Sequence, residues 1–304
     1  MQLAPGDYSF SLEYQDRARD YLVHVPPQAA RVGELPVVLN FHGGGGNAAG
    51  HRDYSHMDLA ADRFGFIAVY PDGTGGMMGK LHTFNAGRCC GYATKNQVDD
   101  VGFSAALLDH LAHRASVDRS RVYATGLSNG AMMACRLAME RPDLVAAIAS
   151  VAGSLDTASF APKRAVPTMH IHSVDDPRAL YRGGLGPPFP FTNARVDHPP
   201  VETMLQRWIA YEHCPASPRI DPTIEGLRGQ PDEGNTATKY SWAPCDGGSE
   251  IVLWKLSGSG HVWPGGTRNY YPQLLGQSTG VIDANEQMWR FFEKFSLPKT
   301  PSAY

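Results

Sequence analysis

The sequence predicts an α/β fold with a mostly parallel sheet flanked by helices and an antiparallel hairpin at one edge. Between Leu35 and Ile171, short β-branched or apolar runs alternate with longer helix-like segments, the signature of crossover connections. The first two strand-like runs follow one another without room for a helix, so they pair antiparallel. Hydrophobic residues make up 42% of the 304 and charged residues 19%, a balance that favours a filled interior over disorder.

Taken in order, strands are expected near Tyr8–Tyr14, Asp20–His24, Val37–Phe41, Phe66–Tyr70, Val122–Thr125, Ala146–Val151, Thr168–His172 and Ile251–Leu256. Helices are expected over 51–64, 99–115, 128–141, 200–213 and 282–295. Neither a repeat nor a long charge run interrupts the chain, so residues 1–304 read as a single domain. The Pro/Gly-rich stretch 182–200 reads as a surface excursion without helix or strand, a lid or a substrate wall. Residues 215–238 form a second irregular, polar stretch at the surface.

Composition excludes several functions. A formal net charge of −3 offers no excess of cations to release counterions from phosphate, so nucleic acid is not an expected partner. The longest nearly unbroken apolar run, Leu144 to Gly153, is about half of what a bilayer requires, so no membrane span is expected. The amino-terminal residues lack the basic start and apolar stretch of a signal peptide. Five cysteines without paired CxxC spacing argue against a disulfide scaffold and against a zinc module.

The strongest chemical signal is Gly126-Leu127-Ser128-Asn129-Gly130, a GxSxG turn between a strand and a helix. So sharp a turn excludes side chains at 126 and 130 and projects the Ser128 hydroxyl at a helix amino terminus, where developing negative charge is favoured. Ala131, Met132, Cys135, Ala138 and Met139 recur at three- and four-residue steps, which places Cys135 on the packed face of that helix. A serine nucleophile needs a base, and the base needs an orienting acid.

His261 is the expected base, because it follows the last strand in GSGHVWPGG, whereas His213 lies on a helix and His198 in the Pro-rich excursion. The turn Ser173-Val174-Asp175-Asp176-Pro177 supplies the acid, with Asp176 preferred over Asp175. Oxyanion donors are expected from the amides of Asn129 and Gly44, with Gly45 as the neighbouring choice. A rival reading takes Gly44 to Ala49 as a dinucleotide-binding GxGxxA turn with Asp72 as its acid, but this leaves Ser128 and His261 unexplained.

With FHGGGGNA at 41–48, YPDGT at 70–74, FNAGRCCG at 84–91, VDDVGF at 98–103 and GLSNGAMMA at 126–134, the chain resembles the LpqC-type, polyhydroxybutyrate depolymerase-like and feruloyl esterase-like branch of the α/β-hydrolases. The resemblance implies an α/β-hydrolase fold with Ser128, Asp176 and His261 as nucleophile, acid and base. It also implies hydrolysis of carboxylic esters, either short polyester (3-hydroxybutyrate-type) oligomers or feruloyl and acetyl groups, with no metal or organic cofactor. Phe84 stands where relatives usually carry Trp, and His172-Ser173 replaces His-Gly. Trp263, Phe84, Phe189 and Phe191 are candidate substrate walls.

In this setting Cys214 and Cys245, which flank the polar stretch, are expected to pair, and Cys89-Cys90 form either a vicinal disulfide or two buried thiols. Such a bridge and the resemblance favour a secreted or periplasmic location. A small serine peptidase of the same fold and a non-catalytic binding module are the competing functions. The expected partner is a small-molecule or oligomeric ester. Because a histidine base must be neutral, activity is expected to rise with pH through roughly 6 to 7.

Overall fold

The computed structural model describes residues 2–31, 33–76, 79–155, 162–189 and 193–298. A two-residue turn, Gln15-Asp16, with both φ positive, joins β1 (Gly6–Tyr14) to β2 (Arg17–Val25) in an antiparallel hairpin. There follow β3 (Leu35–Phe41), α1 (Ala48–Ser55), α2 (Met57–Phe64), β4 (Ile67–Pro71), α3 (Gly91–Lys95) and α4 (Asp100–Ala112). The middle of the chain supplies β5 (Val117–Leu127), α5 (Asn129–Glu140), β6 (Ala147–Val151), β7 (Thr168–Ser173), β8 (Gly184–Leu185), β9 (Asp197–His198) and α6 (Val201–Tyr211). Last come β10 (Arg219–Ile220), β11 (Ile224–Glu225), β12 (Thr236–Trp242), β13 (Ile251–Ser257), α7 (Pro272–Leu275) and α8 (Ala284–Phe292).

One eleven-stranded sheet runs β1-β2-β4-β3-β5-β6-β7-β13-β12-β10, with β11 also paired to β12. Its centre, from β4 to β13, is parallel throughout, and its flanks are antiparallel. Strand β3 shows why both faces are covered: Val37, Leu39 and Phe41 enter one apolar cluster and Val38 the other. The first cluster packs the sheet against α4, α5 and α6 through Phe103, Leu107, Met133, Leu137, Met204 and Trp208. The second packs it against α1, α2 and α8 through Tyr54, Met57, Ala61, Met288, Trp289 and Phe292. No helix among the described residues is long and apolar enough to cross a membrane.

Three expectations need correction. The helix over 51–64 is two helices, because His56 takes a left-handed conformation with φ 54° and ends α1. The excursion 182–200 contains the short antiparallel pair β8–β9. The stretch 215–238 carries β10, β11 and the start of β12, which form a second antiparallel flank. Strand β12 buries only Ala237 and Ser241 of its seven residues, so it lacks the apolar run by which a strand is recognised. Cys214 and Cys245 are disulfide-bonded, tying the end of α6 to the segment after β12, and the vicinal Cys89 and Cys90 are brought together as a buried pair.

Candidate active site

Ser128 is the single residue between β5 and α5, and its backbone sits at φ 56°, ψ −116°, a costly conformation for a residue with a side chain. The crossing is tight because a Cβ on Gly130 would lie 2.2 Å from the Phe41 carbonyl oxygen, and one on Gly126 would lie 2.6 Å from it. The Ser128 amide donates to the Val151 carbonyl at 2.8 Å, which ties the turn to β6. Its hydroxyl caps no amide of α5.

The carboxylate of Asp176 lies just past the end of β7, buried and fully engaged. Oδ1 accepts the amides of Arg178 at 2.7 Å and Ala179 at 2.8 Å. Oδ2 accepts His261 Nδ1 at 2.7 Å and lies 3.2 Å from His172 Nε2. Burial opposes ionisation of this carboxyl, but the charge of His261 and the polar contacts of His172 and His261 outweigh it and hold the group well below the usual carboxylate range. An ionised acceptor at Nδ1 fixes the tautomer of His261 and leaves Nε2 as the ring's basic nitrogen.

The loop that carries His261 is anchored on both sides. Its amide donates to Leu275 O at 2.6 Å, Ser173 Oγ donates to Ser259 O at 2.5 Å, and Gly258 N donates to Asp175 Oδ2 at 2.7 Å. Asp175 is thus an exposed loop anchor, while Asp176 meets the imidazole. Since β5, β6, β7 and β13 are adjacent and parallel, Ser128, Asp176 and His261 leave the sheet at one rim, at the carboxyl ends of its strands. Among the described residues Ser128 Oγ and His261 make no hydrogen bond to each other; such bonds are often long without substrate.

Two amides at this rim have no acceptor among the described residues, those of Gly44 and Asn129. Gly44 approaches Asn129 closely, since a Cβ built on it would lie 3.6 Å from the Asn129 Cβ. Gly45 departs from the expectation: its N–H is spent on the His82 carbonyl at 2.8 Å and is no free donor. The same Gly44 position lies 3.3 Å from the ring edge of Phe189, which belongs to the excursion around β8–β9. That contact suits a wall. Phe84 and Trp263 do not: Phe84 is fully buried against Phe41 and His42, and Trp263 is buried with its indole N–H on Asn285 Oδ1 at 3.1 Å. Phe191 lies outside the described residues. His213 pairs with Asp246 far from this rim, and His198 lies buried in β9.

Several side chains shape the site in ways the motifs that contain them do not reveal. Asn129 does more than offer an amide: its side chain binds both Phe84 N at 2.7 Å and Phe84 O at 2.9 Å, fixing the 84–85 segment. The buried pair Arg19–Asp100 secures the same segment, as Asp100 accepts the Asn85 amide at 2.7 Å. His42 orients the glycine loop through Gly43 O at 2.7 Å and accepts Gly73 N–H at 3.0 Å. His42, Asp72 and His82 offer the ligand types for a metal; Asp72 Oδ1 is hydrogen-bonded to His82 Nδ1 at 2.8 Å and lies 3.2 Å from His42 Nε2, and His82 is further bonded to Gly79 O. Asp72 Oδ1 is thus engaged by His82 within this loop. Of these groups His42, Asp72, Asp100 and Asn129 lie within the quoted motifs, whereas Arg19 and His82 have no motif to mark them.

The sequence profile described as esterase PHB depolymerase matches residues 19–189. NocK of Nocardia uniformis subsp. tsuyamanensis, named as an esterase, is 33% identical over 264 residues, covering 86% of this chain and 75% of that protein. Feruloyl esterase B of Piromyces equi is 27% identical over 273 residues, covering 86% of this chain and 42% of its own length. The chain thus spans three quarters of the first relative and less than half of the second. Among solved structures, an acetyl xylan esterase from Aspergillus awamori aligns with a TM-score of 0.56 at 15% identity over 84% of this chain and 94% of that one. An S-formylglutathione hydrolase from Agrobacterium tumefaciens aligns at 0.54 and 14% identity over 94% of each. These structural likenesses are of fold, and the fold is that of the α/β-hydrolases.

Proposed function

The chain belongs to the esterase PHB depolymerase family and is a carboxylic ester hydrolase, and we propose that it works through an acyl-enzyme on Ser128. The observation that carries this reading is the 2.7 Å contact between Asp176 and His261 Nδ1 at the rim where the Ser128 turn emerges. His261 Nε2 takes the hydroxyl proton as Ser128 Oγ bonds to the ester carbonyl carbon. Negative charge on the carbonyl oxygen is met by the Gly44 and Asn129 amides and by the amino terminus of α5. The imidazolium, stabilised by Asp176, returns its proton to the departing alcohol. Water then adds to the acyl-enzyme with the same nitrogen as base, and the acid is released.

The substrates that fit are esters with small or aromatic acyl groups, whether feruloyl or acetyl groups or short 3-hydroxybutyrate-type oligomers. Support comes from the relatives named for feruloyl and acetyl xylan esters, from the family description, and from Phe189 beside the oxyanion donors. Hydroxybutyrate oligomers, methyl ferulate and acetylated xylan assayed side by side, with a peptide substrate, test this scope. Turnover of the peptide above all the esters would replace the reading with a peptidase. A fluorophosphonate should label Ser128, as read by mass spectrometry. Ser128→Ala should lower kcat by about 10³-fold or more with an unchanged circular dichroism spectrum. Retained turnover in that variant would discard the nucleophile.

A further inference from the structure

Behind the acid lies a chain of buried polar side chains that the hydrolytic steps above do not use. Ser150 Oγ, on β6, lies 2.5 Å from His170 Nδ1 on β7. His170 Nε2 lies 2.9 Å from His172 Nδ1, two residues along the same strand and on the same face. His172 Nε2 lies 2.8 Å from the Ala179 carbonyl and 3.2 Å from Asp176 Oδ2. Ser150, His170 and His172 are all buried, at 0, 0 and 2% exposure.

Donor and acceptor bookkeeping gives the chain a direction. Both partners of His172 Nε2, a carbonyl and a carboxylate, accept only, so Nε2 carries the hydrogen. With a single hydrogen, on Nε2, the His172 ring presents a bare Nδ1, which requires the hydrogen of His170 on Nε2. That leaves His170 Nδ1 to accept from the Ser150 hydroxyl. Burial pushes the pKa of His170 far below its ordinary value, consistent with a neutral ring. With both rings neutral every donor runs toward the Asp176 end of the chain, where His172 Nε2 lies 3.2 Å from the Oδ2 that also accepts His261 Nδ1.

We propose that Ser150, His170 and His172 form a one-way hydrogen-bond relay that orients Asp176 and stabilises its charge, making His172 a positioning residue for ester hydrolysis. The proposal rests on Asp176 and His261 acting as acid and base. Chains of hydrogen bonds polarise one another in a low-dielectric interior, so the far end of the relay acts on the Asp176–His261 bond without touching it.

Because His172 also holds the Ala179 carbonyl, the test must separate donor function from support of the turn. His172→Phe, which keeps a planar ring and loses the donor, should lower kcat on p-nitrophenyl butyrate by about 10- to 100-fold with KM within twofold. His172→Gln, which restores an N–H donor, should recover most of that loss. Ser150→Ala, the smallest change along the relay, should lower kcat of the folded protein by roughly 2- to 5-fold and move the far-downfield proton resonance of the Asp176–His261 bond. Full activity in His172→Phe, equal losses in the Phe and Gln variants, or an unmoved resonance in Ser150→Ala would each overturn the relay. Should His172→Phe fail to fold, the Gln and Ser150→Ala variants carry the test. Asp176→Asn in the same panel isolates the underlying reading: full turnover there dismisses the acid, whatever the histidine variants show.

Discussion

Gly130 is packed where no side chain can be placed without moving the Phe41 backbone, and the turn that presents Ser128 depends on it. Gly130→Ala is expected to cost about 3 kcal/mol, read as a lowered urea midpoint, and to reduce fluorophosphonate labelling of the folded fraction. The two adjacent aspartates should separate by chemistry. Asp176→Asn, which disturbs the imidazole tautomer, should lower kcat by about 10⁴-fold, whereas Asp175→Asn, which touches only the Gly258 amide, should stay within about tenfold. The reverse ranking in steady-state assays would move the acid by one residue. At this scale Ser128, Asp176 and His261 each stand in local patterns that the proposed chemistry requires, and the fold brings Asp176 and His261 into contact. It misled at Trp263 and Phe84, whose aromatic character says nothing of which side of the sheet receives them.

Among the elements, the β8–β9 excursion and the hairpin β1–β2 serve the rim in different ways. Phe189 is brought beside Gly44 by backbone pairing, with its amide donating to Ala194 O at 2.8 Å and Gly186 N donating to Val196 O at 2.9 Å. Phe189→Ala should raise KM for methyl ferulate several-fold more than for p-nitrophenyl acetate, because an aromatic acyl group loses more contact. Equal changes for the two esters would remove Phe189 from acyl recognition. From β2, Arg19 reaches Asp100 on α4 at 2.6 Å and lies 3.9 Å from the Phe103 ring centre. Arg19→Met leaves a buried carboxylate without its cation and should destabilise by about 3–5 kcal/mol in a denaturant titration. The antiparallel β1–β2 edge was legible because two runs without an intervening helix have one economical pairing. Strands β10 to β12 were not, since exposed flanking strands need no apolar period.

Across the whole molecule, pH acts on stability through a group remote from the rim. Glu212, at the end of α6, is buried and accepts the Val166 amide at 2.8 Å, and burial pushes its carboxyl up from 4.5 to about 7. The folded chain holds this proton more tightly than the unfolded chain. Its contribution is therefore greatest at low pH and declines between about pH 4.5 and 7, as the unfolded state ionises first. Glu212→Gln should thus gain in thermal midpoint relative to the parent as pH rises from 5 to 8, by an amount equivalent to at most about 3 kcal/mol. A constant difference across that range would rule out the linkage. Nearby, the Cys214–Cys245 bridge closes a separation of 31 residues, and reduction should cost about 3 kcal/mol of stability.

The alternation of apolar runs and helical periods, the Ser128 turn and the order serine, acid, histidine follow from the sequence alone, because each is enforced by neighbours along the chain. Local sterics decide them before any distant contact forms. Which amide remains unpaired, which aromatic is interior, and which serine lies beside His170 were decided only when parallel strands brought distant segments to a common rim. Hydrogen bonds saturate, so the role of a polar group is settled by the last partner to reach it, and for Gly45, Asp72 and His170 that partner comes from elsewhere in the fold.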